Sequence, residues 1–382
     1  MSGMNGGVSL ARATLIYEWK RYLAAVLAVA FSGLLVLVQV GLLLGQFGTV
    51  TVIVDRAQAD LWVVAANTES FDLAREMPSR IEMRLRMHPE VESVQQMVAG
   101  LGDWRTRDGG KVTVYIWGLD TDPDSLSWPT SLDPTLREQL REVGSVLVDV
   151  VDVNKLKAGI GEGAEINNRR VKVAGLMEGF RAIGGANVLS SMTTARELQG
   201  EVLDSDYAQY FLIKLADPAR AALVRDQLQP WEEDPAFWIL TPAELSVMSQ
   251  GYWLLESGSG ISFGFSAILA LLVGVAITSQ TLRAAILAAL REYATLRALG
   301  VSLQSLRRVV LEQALWVGLA GLLVTGLLTW AIYLTATANY VAIAFPWWAI
   351  AGAAFFTIAV ALLSGLLSLK PLYKTEPAEL LR

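Results

Sequence analysis

The 382-residue chain has no cysteine and a single histidine, His88. The first absence excludes disulfides, thiolate metal sites and thiol catalysis, and it is compatible with an oxidising exterior. The second removes His-rich metal sites and the H-E-x-x-H zinc motif, and leaves little basis for a Ser–His–Asp triad. His88 precedes Pro89 at the end of a charged run and reads as a surface turn. No G-x-x-x-x-G-K-[ST] occurs, so nothing here cradles the phosphates of ATP. The glycine-rich GIGEG at 159–163 lacks the following Lys-Ser/Thr and reads as a turn between strands. The acidic groups Asp120/Asp122/Asp124 and Glu232/Glu233/Asp234 lack EF-hand spacing and read as solvated loops. With no catalytic, cofactor or metal constellation, the chain is expected not to be an enzyme itself.

Charge is scarce as well. Only 18% of residues are charged, while 53% are hydrophobic and mean hydropathy is +0.42. A soluble surface needs more charge than that, so the apolar excess points to lipid. The charges are also segregated. Residues 50–256 carry 32 acidic and 20 basic side chains; the rest carries 5 and 11. An acidic soluble portion joined to a basic remainder does not suit nucleic-acid binding.

A bilayer is crossed by roughly 20 apolar residues in a helix. No charge falls between Arg21 and Asp55, between Glu256 and Arg283, or between Glu312 and Lys370. The last stretch is too long for one span and divides at TATANYVAIAFP, where Pro346 and the Trp347–Trp348 pair mark an interface. Four spans are therefore expected, at 22–49, 257–282, 313–335 and 347–369, with an α+β domain at 50–256 inserted between the first two. The basic residues Arg12, Lys20, Arg21, Arg283, Arg291, Arg297, Arg307, Arg308, Lys370, Lys374 and Arg382 all lie in the other segments, 1–21, 283–312 and 370–382. By the positive-inside rule these segments and both termini are cytoplasmic and 50–256 lies outside. The mixed ARATLIYEWKRYLAAV segment either lies along the inner membrane surface or simply extends the first span.

Within 50–256, ADLWVV reads as a buried strand and PSRIEMRLRM as a helix opened by proline. VTVYIWGLD after Asp108-Gly109-Gly110, and EINNRRVKVAGLME around Asn167-Asn168, read as hairpins. YFLIKLA and FWILT read as strands, with a helix from Pro218 to Leu228 between them. Thr241, Pro242 and Glu244 form a helix start, and a helix over 242–256 running on into the second span would be a stiff stalk. Gln39 is an isolated polar residue in span 1, expected to hydrogen-bond another helix.

TLRAAILAALREYATLRALGVSLQSLRRVVLEQ at 281–313 is rich in helix formers up to Leu299, where Gly300 supplies a stop and Ser302 a new cap. The run Arg291, Glu292, Tyr293, Ala294, Thr295, Leu296, Arg297, Ala298, Leu299, Gly300 resembles the R-R-E-I-x-x-L-R-A-L-G-A signature of FtsX-like permeases of the MacB/LolC type. The tail from Glu376 to Arg382 is similar to the closing P-x-x-A-L-R of that family, with Glu379 and Leu381 departing from it. VLVDVVDVNKLKAGIGEGAEINNRRVKVAGLME is similar to its periplasmic core, and the N-terminal third looks most like the DevC branch. The resemblance implies a permease subunit of an ABC transporter in the bacterial inner membrane, with 291–300 as the helix that docks on the ATPase. About 21 residues precede span 1 and no nucleotide motif is present, which implies that ATP and Mg are bound by a separate ATPase subunit. It further implies a second permease copy, as a homodimer, a periplasmic adaptor and an outer-membrane channel. The GxxxG pairs Gly41/Gly45 and Gly260/Gly264 are candidates for close helix packing in such a dimer. FtsX-like signalling to a cell-wall hydrolase and LolC/LolE-like lipoprotein release are the alternatives.

Overall fold

A computed structural model describes residues 17, 19–200, 206–230, 235–256, 258–288, 295 and 301–368. The chain forms two compact units, one spanning Gln46–Gly260 and the other built from residues on either side of it.

The inserted unit is α+β. In chain order its elements are α2 (Val52–Arg56), β1 (Leu61–Ala65), β2 (Met77–Pro78), α3 (Ile81–Arg86), β3 (Val91–Arg105), β4 (Lys111–Leu119), α4 (Pro134–Leu140) and β5 (Ser145–Asp149). They continue with α5 (Val153–Leu156), β6 (Gly163–Ile166), β7 (Arg169–Met177), β8 (Ala186–Ser191), α6 (Met192–Gln199), β9 (Tyr207–Ala208), β10 (Tyr210–Leu215), α7 (Ala221–Leu228), β11 (Phe237–Leu240) and α8 (Pro242–Gly251). The main sheet has the order β11-β1-β10-β3-β4-β8-β5-β7-β6. All neighbours are antiparallel except β4–β8 and β5–β7.

The long strand β3 serves two sheets. Its first half pairs with β10, and its second half pairs with β4 from Val98 onward. Trp104 and Arg105 then meet Ile166 and Glu165 of β6, which closes β3-β4-β8-β5-β7-β6 into a small barrel. Closure removes two sheet edges. Alternate residues of these strands (Trp104, Val114, Val148, Val173, Val188 and Ile166 among them) form one buried cluster, to which α6 adds Ala195 and Leu198. Two further clusters cover the two faces of the open part, one holding Leu61, Val63, Phe211 and Ile213, the other Trp62, Val64, Phe71 and Tyr210. Odd and even residues of β1 thus go to opposite faces, as strand geometry requires.

Both expected hairpins form. Asn167 and Asn168 take positive φ (49° and 63°), the requirement of a tight I′ turn, and Gly109 turns β3 into β4 at φ 84°. Pro78 does not open a helix: it sits in β2 opposite Tyr207, and the helix begins only at Ile81. Proline is tolerated in so short a strand because it breaks no central ladder.

Among the described residues, the other unit contains four helices long and apolar enough to cross a membrane. They are α1 (Trp19–Val50), α9 (Ser259–Ala288), α10 (Leu303–Ala338) and α11 (Trp347–Ser368). The third starts well before its uncharged stretch because Ser302 caps it, accepting from Ser305 N at 3.2 Å. Tyr22, Ala25 and Val29 of α1 pack on Ala314 and Val317 of α10 and Ala361 of α11. Gly33 faces Thr357 and Thr325, Gly318 faces Ala361, and Gly365 faces Ala314, so backbones approach closely. The Gln39 carbonyl oxygen is buried without the hydrogen bond expected of it.

Candidate functional site

The stretches through which the chain enters and leaves the inserted unit run side by side. Thr241 caps α8 by accepting from Glu244 N, and the Glu244 carboxylate returns to Thr241 N at 2.8 Å, a complete capping box with Pro242 in the first turn. Burial raises the Glu244 carboxyl, but its bonds from Thr241 and Arg225 outweigh burial and hold it below the usual carboxylate range. This end of α8 is fixed.

From that cap, α8 presents Leu245, Ser246, Ser249 and Gln250 in succession. Ser246 donates to Asp55 Oδ1 at 2.5 Å, while Thr51 Oγ1 donates to Asp55 Oδ2 at 2.8 Å. Gln250 Nε2 reaches Thr51 Oγ1 at 3.3 Å. Asp55 Oδ1 thus ties α2 to α8, Oδ2 being held by Thr51 at the start of its own helix, and Gln250 to Thr51 is a second bond between the two segments. Beneath the polar clasp, Val52, Ile53 and Leu245 are buried in the cluster that contains Trp62 and Phe71.

A second attachment runs to the sheet. Phe71 N donates to Ser249 Oγ at 2.9 Å, and Trp253 Nε1 donates to Asp72 Oδ1 at 3.1 Å. The Phe71 ring stacks on Trp117 at 4.5 Å and lies 5.5 Å from Trp62 and 5.0 Å from Tyr210. Tyr210 donates its hydroxyl to Phe71 O, and burial holds that hydroxyl well above the usual phenol range. Phe71 thus links α8 to side chains of strands β1, β4 and β10.

The helix expected over 242–256 forms, but it does not run on unbroken into α9. The α-helix ends at Gly251, Tyr252–Glu256 widen into a π-helix, and Gly258 takes φ 76° before α9 begins. A left-handed residue cannot continue a right-handed helix, and glycine adopts it at little cost.

Of the residues expected to dock on an ATPase, only Thr295 is described, in helical conformation. Arg291, Glu292, Leu296, Arg297, Ala298, Leu299 and Gly300 lie outside the described residues, as do the 370–382 tail, Glu232–Asp234 as numbered 232–234, and residues 1–16. Gly41 and Gly45 make their close approach within the chain: Ala344 N donates to Gly41 O at 3.0 Å, Phe345 sits over Gly41, and the Ala342–Ile343 backbone lies against Gly45. Gly260 meets the Leu254 carbonyl of its own chain, and nothing lies within 4 Å of where a Gly264 side chain would start. Sequence reasoning missed Asp55, Ser246, Gln250 and Phe71. The only signal was the position of Asp55 as the first charge after span 1.

Residues 22–231 match the model of the MacB-like periplasmic core domain, and residues 264–377 match the FtsX-like permease C-terminal model. The chain belongs to the MacB-like, FtsX-like family of ABC transporter permeases, a family of membrane-embedded proteins. Two solved structures are similar. The periplasmic region of MacB from Actinobacillus actinomycetemcomitans is 13% identical, with TM-score 0.33, over 50% of this chain and 92% of that one. The extracellular domain of the noncanonic ABC-type transporter YknZ from Gram-positive bacteria is 10% identical, with TM-score 0.31, over 47% and 98%. No curated protein matches the sequence.

Proposed function

We propose that this chain is the membrane subunit of an ATP-driven export machine of the MacB/DevC type, working by mechanical transmission. A separate ATPase subunit, which binds ATP and Mg, docks on residues 291–300 from the cytoplasmic side. Two copies of the chain act together in the bacterial inner membrane with both termini inside, and the inserted unit works outside on cargo passed to an adaptor and an outer-membrane channel. The observation that best supports this reading is the Asp55 clasp, with Ser246 on one oxygen and Thr51 on the other. The bond between Asp55 and Ser246, 191 residues apart in sequence, makes the two passages move as one, and Ser249 and Phe71 pass that movement to the sheet.

Co-purification of the tagged full chain in mild detergent, with mass spectrometry and an ATP hydrolysis assay, tests the proposal. An ATPase recovered together with an adaptor supports export. An ATPase recovered with a cell-wall hydrolase or its activator replaces export by signalling, and the absence of any ATPase sinks both. In the recovered complex, Glu292→Ala and Arg297→Ala are each expected to lower stimulated ATP hydrolysis roughly tenfold with insertion unchanged. Unchanged stimulation in both would move the docking segment elsewhere.

A further inference from the structure

The barrel of the inserted unit carries a groove of about 500 Å³ on its outer surface, lined by Arg105, Thr106, Arg107, Gly163, Glu165 and Arg170. Its chemistry follows from the strands. Trp104, Ile166 and Val171 point into the barrel core, so their neighbours Arg105, Glu165 and Arg170 point outward. Lys111, Arg105, Glu165 and Arg170 stand directly opposite one another across β4, β3, β6 and β7. Three cations and one anion therefore share a row. Lys111 opposite Arg105 is a like-charge pair, which destabilises a sheet. The row also stands out in its setting, because residues 50–256 carry more acidic than basic side chains.

The carboxylates nearby do not use up these cations. Glu165 meets Arg105 at 3.2 Å and Glu162 meets Arg107 at 2.8 Å, both pairs exposed to water, where ion pairs contribute little. Arg105 also donates to Asn168 Oδ1 at 3.4 Å, and Asp103 holds Lys111 at 3.1 Å. The Arg170 guanidinium makes no hydrogen bond or ion pair among the described residues. Its planar fork matches a carboxylate in two parallel bonds.

A second feature lies along one side of the groove. β3 and β6 pair only at Trp104–Ile166 and Arg105–Glu165. Beyond them β3 turns away, with Thr106 N donating to Gly110 O at 2.9 Å. Gly163 and Ala164 continue β6 with β7 on one side and no strand on the other. A short open edge is a place where an extended chain can add by main-chain hydrogen bonds. Arginines beside an open strand edge suit one kind of occupant, an extended chain that bears carboxylates.

We propose that this groove binds an extended acidic peptide segment, its main chain added along the open end of β6 and its carboxylates on Arg107 and Arg170. The full-length protein in phosphatidylcholine nanodiscs tests this without any ATPase. The probe is an end-blocked, fluorescein-labelled Glu-Val-Glu-Val-Glu-Val peptide, which as a strand carries its acids on one face, and fluorescence anisotropy reads its binding. Arg170→Glu and Arg107→Glu are each expected to weaken binding about tenfold, while Arg84→Glu, on α3 outside the groove, leaves it unchanged. Arg170→Gln, which removes the charge without reversing it, should weaken binding in the same direction if the reversal disturbs folding. Glu-Pro-Glu-Pro-Glu-Pro has the same charge but lacks every second N–H, and should bind about fivefold more weakly. No saturable binding of the Glu-Val peptide, or binding indifferent to Arg107 and Arg170, overturns the site. Equal binding of the proline peptide overturns strand addition, and displacement of the probe by millimolar inorganic phosphate overturns the peptide assignment in favour of a general anion site.

Discussion

The two units of this chain hold together by opposite means. The inserted unit buries large side chains, with Trp62, Trp104, Trp128, Tyr210, Phe71 and Phe211 all withdrawn from solvent. Burial of such area from water is what stabilises it. In the membrane unit the interior is small: Ser32, Thr357, Ala361 and Ser364 are buried, while Phe265, Leu272, Leu323, Leu327 and Phe355 are exposed. Lipid is as apolar as leucine, so sending leucine inward would gain nothing, and close backbone packing with hydroxyl–carbonyl bonds takes over. Glycine shows the contrast most directly. In the inserted unit Gly109, Gly144, Gly161, Gly179 and Gly184 adopt positive φ in turns; in the membrane unit Gly33, Gly318, Gly321 and Gly365 are helical and leave room for a neighbour.

That contrast is most directly broken at Phe71. Phe71→Ala removes a ring packed against three others and is expected to destabilise the inserted unit by about 3–5 kcal/mol, leaving the membrane unit inserted. Denaturant unfolding followed by tryptophan fluorescence, beside a protease-protection assay of the spans, separates the two effects. Concerted loss of both would show that the units are not independent in stability. The opposite substitution applies to the membrane unit. A Cβ at Gly33 would lie 2.6 Å from Thr357 Oγ1, so Gly33→Leu overpacks and is expected to cost about 1–3 kcal/mol there, whereas Gly264→Leu, facing open space, should cost little within one chain. Thermal stability of the detergent-purified variants distinguishes them, and equal losses would mean that Gly264 is covered by a second copy.

The clasp is a smaller effect of a third kind, polar rather than apolar or steric. Asp55→Ala leaves Ser246 and Thr51 without their shared acceptor, for an expected loss of about 1–2 kcal/mol. A double-mutant cycle with Ser246→Ala should return a coupling on the order of 1 kcal/mol, and additivity would show that the two segments are joined by their apolar contacts alone.

Local chemistry made much of this fold legible. Asn167-Asn168, Asp108-Gly109-Gly110 and the Thr241–Glu244 box each carry their geometry in a few adjacent residues, and each appears where the sequence places it. The four spans were legible from long uncharged stretches, and the permease family only from the resemblance of 291–300, the 376–382 tail and residues 146–178 to its patterns. Barrel closure was not, because the pairing of Trp104 with Ile166 is set by a strand length and a twist that no short window contains. The clasp was equally hidden: Asp55 and Ser246 are ordinary residues whose meaning arises only from being brought together across the whole inserted unit. Pro78 misled for the same reason, since its strand partner lies at Tyr207.

The finest test of the contrast concerns a charge kept inside the unit that buries large apolar groups. Asp152 sits at the start of α5 beside Asp149; burial pushes its carboxyl up to about 6, the neighbouring Asp149 adding to the effect and Lys155 and Arg181 opposing it. Its Oδ2 is buried without a hydrogen-bond partner. A carboxyl raised in the folded state above its unfolded value of about 3.9 favours folding when protonated. Its contribution is most favourable below the unfolded value and is progressively lost as pH rises towards 6, after which the penalty is constant. Asp152→Asn removes the titration. The variant should match the parent near pH 4, gain on it between pH 4 and 6, and keep a constant advantage of a few degrees in Tm above that. If the advantage were instead greatest at pH 4, Asp152 would be stabilised as an anion by Lys155 and Arg181, and the inserted unit would be tolerating a buried ion pair rather than an uncompensated acid.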